Sequence, residues 1–178
     1  MNFLELVKKR QSCRKYVDTP VPKEALERCL EAARLAPSAC NSQPWRFIVV
    51  TEPELKNQLA EAAFFGLHSM NSFAKATPVL VVVVTERSKY AAQLAGSFKG
   101  IQYSLLDVGI AGEHFCLQAA EEGLGTCWLG WFHQRGVQKI LGLSKKDRID
   151  IMISVGYPQD DSTREKIRKS AGRISEFR

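Results

Sequence analysis

Two arginines flank a hydroxyl near the start of the chain, in Arg10-Gln11-Ser12-Cys13-Arg14. A guanidinium donates in a planar fork that suits phosphate oxygens, and a serine adds a neutral donor. The pattern outlines an anion clamp. It also fits an ordinary helix end, because cations favour the C-terminal dipole. A second basic group closes the chain. From Ser162 onward, Arg164, Lys166, Arg168, Lys169, Arg173 and Arg178 face only Glu165 and Glu176. Such a tail can bind nucleic acid, a membrane surface or one phosphate group, or be a solvated end.

A third candidate is the stretch Ala36-Pro37-Ser38-Ala39-Cys40-Asn41-Ser42-Gln43-Pro44-Trp45. It lacks glycine and is longer than a plain helix-to-strand link. Pro37 and Pro44 fix φ and push Ala36 and Gln43 away from the α region. The expected product is a stiff loop presenting Ser38, Asn41, Ser42 and Gln43. Those groups suit a ligand or the loop's own backbone. Further on, Gly130 interrupts an apolar strand, where a backbone can approach a flat ligand.

The elements that must position these groups follow from periodicity. Helices are expected over Phe3 to Gln11, with Phe3, Leu6 and Val7 inward, and over Lys23 to Leu35. Phe47 to Val50 reads as a strand, and Glu52-Pro53-Glu54 opens a helix. Phe64 to Ala76 is irregular and reads as a lid, a pocket wall or a plain connection. Pro78 to Val84 is a strand buried on both faces. Tyr90 to Gly100 reads as loop or weak helix. Ile101 to Glu122 is the longest helix, apolar enough to be buried on most sides, in a core or a subunit interface. In it, Gly109 and Gly112 would allow close helix approach. Asp107, Glu113 and His114 are candidate polar interface contacts. Gly123-Leu124-Gly125 follows a helix and opens a strand, so it is a helix cap, not a dinucleotide-binding loop. Thr126 to Phe132 reads as a strand, His133 or Gln134 to Leu141 as a short helix, and Ile149 to Val155 as the last strand.

The 178 residues suffice for one domain spanning 1–178, and 45% apolar composition fits a globular chain. No apolar run reaches membrane-span length, and no signal peptide opens the chain, so a cytoplasmic location is expected. Cys13, Cys29, Cys40, Cys116 and Cys127 form no Cys-x-x-Cys, which argues against a zinc site and for free thiols. The formal charge of +6 comes mostly from the tail, which argues against nucleic acid as a partner.

Four blocks then carry a resemblance: Arg10 to Tyr16, Ala36 to Phe47, Gly123 to Phe132, and Gly156-Tyr157-Pro158 followed by Lys166-Ile167-Arg168. In type and order they resemble the nitroreductase family of FMN-dependent enzymes, over nearly the whole chain. The resemblance implies an α+β fold. This is a three-layer α/β/α sandwich with a central mixed, mainly antiparallel sheet, in an intertwined homodimer with flavin at the subunit interface. It implies tightly but non-covalently bound FMN and NADH or NADPH as electron donor. Arg10, Gln11, Ser12 and Arg14 would hold the flavin from the N-terminal side, Arg10 and Ser12 at the phosphate and Arg14 nearer the pyrimidine edge. Lys166 and Arg168 match the C-terminal phosphate contacts, with Arg164 or Lys169 as alternatives to Lys166. Pro37, Ser38, Ala39, Asn41 and Gln43 would reach the flavin of the other subunit. Leu129 and Gly130 would lie beside the ring and offer a backbone N–H to N5. Phe64, Phe65, His68 and Asn71 would line the substrate side.

The reaction implied is ping-pong hydride transfer from NAD(P)H through flavin N5 to nitroaromatic or quinone-like acceptors. No catalytic side chain is required, because the cofactor carries the chemistry. Alternatives are a specialised family member, such as a dehalogenase or flavin-consuming enzyme, and a flavin-binding module without turnover.

Overall fold

Val79–Thr85 is the strand against which the rest is laid: all seven of its residues are buried. The computed structural model describes residues 2–87, 96–97 and 100–178. In chain order the elements are α1 (Phe3–Lys9), α2 (Lys23–Arg34), β1 (Trp45–Val50), α3 (Pro53–Ala63), β2 (Val79–Thr85), α4 (Tyr103–Glu121), β3 (Gly125–Leu129), α5 (Gln134–Ile140) and β4 (Arg148–Gly156). Short 3₁₀ segments cover Ala39–Asn41, Gly66–Ala76 and Ala171–Arg173. The expectation for Tyr90 to Gly100 falls outside the described residues, apart from Gly96, Ser97 and Gly100.

The sheet order is β1-β2-β4-β3, and every pairing between these strands is antiparallel. A parallel bridge joins Ser12 to Thr126 beside β3. Side chains alternate across the sheet. Val79, Val81, Val83, Ile153 and Val155 meet Leu26, Cys29 and Ala33 of α2 and Val108, Ala111 and Phe115 of α4. Leu80, Val82, Leu129 and Met152 point the other way, onto Leu59 and Ala63 of α3 and Val137 of α5. Helices thus cover both faces of a mainly antiparallel sheet, the α+β sandwich the resemblance implied.

Local chemistry sets the ends. The Glu52 carboxylate accepts from the N–H groups of Glu54 and Leu55 at 2.9 and 2.6 Å, and Pro53 opens α3. Gly123, at φ 76°, ends α4 in the left-handed conformation that favours glycine.

Four expectations need correction. Helix α1 stops at Lys9 and buries none of its residues; Phe3 is 67% exposed. It lies against α4, outside the sheet's cover. Leu105, Leu106 and Ile110 of α4 are also exposed within the chain, so its own core buries that helix on one side and leaves the rest of its apolar surface to the subunit-interface alternative. A Cβ on Gly112 would sit 2.5 Å from the Trp128 ring, whereas one on Gly109 would meet open space. The close approach is helix to sheet, at one glycine. Strand β3 ends at Leu129 instead of running on to Phe132.

Candidate active site

The segment after α1 is laid along β3. Cys13 N–H donates to Thr126 O at 2.8 Å. A Cβ on Gly125 would fall 2.7 Å from the Cys13 Cβ, so glycine is what permits the approach. The chain leaving β4 then runs back beside the same segment. Val17 N–H donates to Tyr157 O, and Gln159 N–H to Lys15 O, each at 3.0 Å. The two basic ends of the sequence therefore meet.

Between them lies a cavity of about 320 Å³, bounded by Arg10, Ser12 and Arg14 on one side and by Arg164, Lys166 and Arg168 on the other. Gln11, Glu165 and Ile167 complete its lining. Five cations and one carboxylate around one hollow is a costly arrangement in the absence of an anion. Lys166 shows that cost. Burial, together with Arg10 and Arg168, pushes its ammonium below the usual lysine range. Its Nζ donates to the carbonyls of Val7 and Arg10, capping the C-terminus of α1. Arg10 Nε lies 3.1 Å from Glu113 Oε1, but without hydrogen-bond geometry, so a buried donor is left over. A phosphate answers both features: it supplies the missing charge and accepts from the spare N–H. The residues fit the phosphate end of FMN. Of the tail alternatives, Arg164 lines the cavity and Lys169 does not.

Leu129 is fully buried, so its side chain belongs to the core and only its backbone is available at the site. Gly130 is exposed just beyond the strand end. Past it stands an aromatic wall. Trp131 Nε1 donates to Leu67 O at 2.9 Å, and Asn71 Nδ2 donates to Trp131 O at 2.9 Å. The His68 ring lies 5.2 Å from that of Trp131 and 5.9 Å from that of His133. Phe65 meets His133 edge-on at 5.1 Å. Arg14 reaches the same 3₁₀ segment, its guanidinium 5.8 Å from the Phe73 ring centre. Phe65, His68 and Asn71 are thus brought together. Phe64 is not: it is 1% exposed in the core under the sheet, so it forms no pocket wall. Phe73, Trp131 and His133 were missed. Trp131 and His133 lie one and three positions beyond Gly130, and that adjacency was the available signal.

Pro37, Ser38, Ala39, Asn41 and Gln43 do not line the clamp cavity. They sit against α4, where Ala39 N–H donates to the buried Asp107 at 3.0 Å. Asp107 is therefore an anchor for this loop. Cys40, Asn41 and Gln43 have φ of 52°, 50° and 48°, the left-handed region, where non-glycine residues are strained. Gln43 N–H donates to Ser38 Oγ, and Gln43 Nε2 to Asn41 Oδ1, both at 2.9 Å. Asn41 and Gln43 are exposed.

Burial pushes the Cys13 and Cys127 thiols up, away from the thiolate form. No described helix is long and apolar enough to cross a membrane.

The nitroreductase family model matches residues 7–69 and 67–157. An NADH dehydrogenase of Thermus thermophilus is 31% identical over 179 residues, covering 86% of this chain and 85% of that protein. An iodotyrosine deiodinase of Thermotoga neapolitana is 28% identical over 176 residues, covering 88% of each. Among solved structures, an FMN-dependent nitroreductase from Clostridium difficile R20291 superposes with a TM-score of 0.76 at 27% identity, over 98% of both chains.

Proposed function

Because this chain belongs to the nitroreductase family, we propose that it is an NAD(P)H-dependent flavin oxidoreductase, a single FMN-binding domain per chain. The observation that carries the reading is the convergence of Arg10, Ser12, Arg14, Arg164, Lys166 and Arg168 on one cavity. Bound there, FMN would supply two-electron chemistry, taking hydride from NADH or NADPH and passing it to nitroaromatic or quinone-like acceptors in ping-pong turnover.

The chain's own residues bind and orient. Arg10, Ser12 and the tail cations neutralise the phosphate. Arg14, steadied on Phe73, places a permanent cation toward the ring end of the site. Such a charge lowers the energy of electron-rich states there. Gly130 leaves the backbone bare where a flat ring must approach. Trp131 and His68, their rings tilted by 34°, stand as an aromatic wall on the substrate side.

The loop 37–43 belongs, on this reading, to the site of a second copy of the chain. None of its residues lines the clamp of its own chain. The exposed apolar residues Phe3 and Leu4 of α1 and Leu106 and Ile110 of α4 supply a surface for dimer contact.

The test is anaerobic mixing of the purified yellow protein with NADH and with NADPH, following flavin bleaching. Rapid bleaching, then parallel double-reciprocal plots with a nitroaromatic acceptor, is expected. Bound flavin that neither nicotinamide reduces would make the protein a binding module instead. The deiodinase relative favours a second reading, reductive dehalogenation. Halide release from a halogenated phenol in excess of nitroaromatic turnover would select it.

A further inference from the structure

Gln11 stands in the middle of the clamp, yet both ends of its amide are spent on the tail. Nε2 donates to Ser162 O at 2.7 Å. Oε1 accepts from Arg164 N and Arg164 Nε, each at 3.1 Å. Arg164 also donates from Nη2 to Ser12 O at 2.6 Å. Ser162 is itself set by Asp160, whose carboxylate accepts from its N–H at 2.8 Å and its hydroxyl at 2.9 Å. Beyond Pro158 the tail has no strand or α-helix and no buried residue; Ile167 is 92% exposed. Within one chain, polar contacts are thus what fasten residues 160–168 over the clamp, and Gln11 makes three of them.

We propose that Gln11 is a positioning residue, the fastener of a basic C-terminal strap, and that strap docking and flavin retention are one coupled equilibrium. The proposal rests on the flavin reading of the clamp and moves Gln11 out of the direct cofactor contacts. Undocking the strap carries Arg164, Lys166 and Arg168 away from the phosphate, so the ligand is held by Arg10, Ser12 and Arg14 alone. Reciprocity follows: a phosphate ligand that prefers the docked strap must favour docking by the same factor. Glutamine suits the post because its amide offers a donor and an acceptor at once, to a backbone that presents one of each. A glutamate of the same shape would set an acceptor against Ser162 O.

Two measurements on full-length protein test this, with Q11A, Q11E and S12A. The first is hydrogen exchange and trypsin cleavage at residues 160–168 of the flavin-free protein, which needs no cofactor. The second is the FMN dissociation constant from flavin fluorescence. Q11A and Q11E should free the strap in the first. In the second they should weaken FMN by about five- to fiftyfold, the loss of a few hydrogen bonds. FMN should protect the strap of the parent more than that of Q11A. S12A should weaken FMN while leaving strap exchange near the parent's. Unchanged strap exchange in Q11A overturns the fastener. A Q11A protein with a freed strap and undiminished FMN affinity overturns the coupling. A parent chain that binds no FMN would refute the flavin reading separately, since the first measurement still reports on Gln11.

Discussion

The clamp and the proline-flanked loop carry comparable polar groups but are held in opposite ways. The clamp is assembled from residues about 150 positions apart, in unstrained backbone, by side chains reaching carbonyls. The loop is shaped mostly by its own residues, with three side-chain-bearing residues at positive φ and one anchor on Asp107. One is a closure that can be undone; the other is a preset shape. A site that must take in a large anionic cofactor and then hold it gains from having both.

The comparison is broken hardest at the clamp. Arg10→Ala should weaken FMN retention by about ten- to a hundredfold, the loss of a charge-assisted contact of about 1.5–3 kcal/mol. Unfolding of the flavin-free protein should barely move. Equilibrium dialysis and a thermal melt of the apoprotein read the two separately. Retention equal to the parent's would mean that the cavity is not the phosphate site.

Asp107→Ala addresses the loop instead. It strips the acceptor from the half-buried Ala39 N–H, a loss of about 0.5–1.5 kcal/mol. Turnover should fall while phosphate affinity at the clamp is retained. A variant with parental stability and turnover would show that the loop holds its shape unaided.

The pH response of Lys166 sharpens the contrast. Its folded pKa is depressed, by burial first and then by Arg10 and Arg168. Between that value and the ordinary lysine value the unfolded chain binds more protons. The contribution of Lys166 to apoprotein stability should therefore rise with pH across that alkaline window, read as the difference between the parent and Lys166→Met. The buried thiols of Cys29 and Cys116, pushed up to about 12, drive the whole-protein trend the other way. FMN affinity should fall across the same window, by up to about tenfold, because the clamp loses a charge. Lys166→Arg should flatten the affinity profile. A Lys166 contribution to stability that falls with pH alongside the affinity would contradict the crowding argument.

The smallest effect is expected from Asn41→Gly. Relief of the left-handed strain opposes the added freedom of the unfolded chain, so the melting temperature should move by the equivalent of less than about 1 kcal/mol. A large loss would mean that the Asn41 side chain, not the backbone, sustains the turn.

Sheet, helices and caps were legible because burial on two faces writes itself as period two, and burial on one face as helical period. Gly123 and Pro53 were legible as punctuation. Spacing alone read the clamp in halves, and only the family resemblance joined them: nothing in Arg10 to Arg14 says that Arg164 returns beside it, because the pairing is made through β3 and β4. Phe64 misled because an aromatic next to an irregular segment reads the same whether it faces a pocket or the core. Trp131 was passed over because apolar character continues beyond Leu129 after the hydrogen-bonded ladder has stopped. The outward face of α1 was misjudged for a related reason: an apolar stripe records that something covers it, without recording whether that is its own sheet.

The strand order has a consequence for synthesis. Val79–Thr85 is an uncharged run of branched residues without proline, and its neighbours are Trp45–Val50 and Arg148–Gly156. As the chain leaves the ribosome, the first partner is already available, but the second is still tens of residues from being made. For that interval the most adhesive strand of the molecule has one bare edge, the geometry that recruits foreign strands. Nascent chains stalled before Arg148 should accordingly be chaperone-bound or insoluble, and those stalled well past Gly156 released.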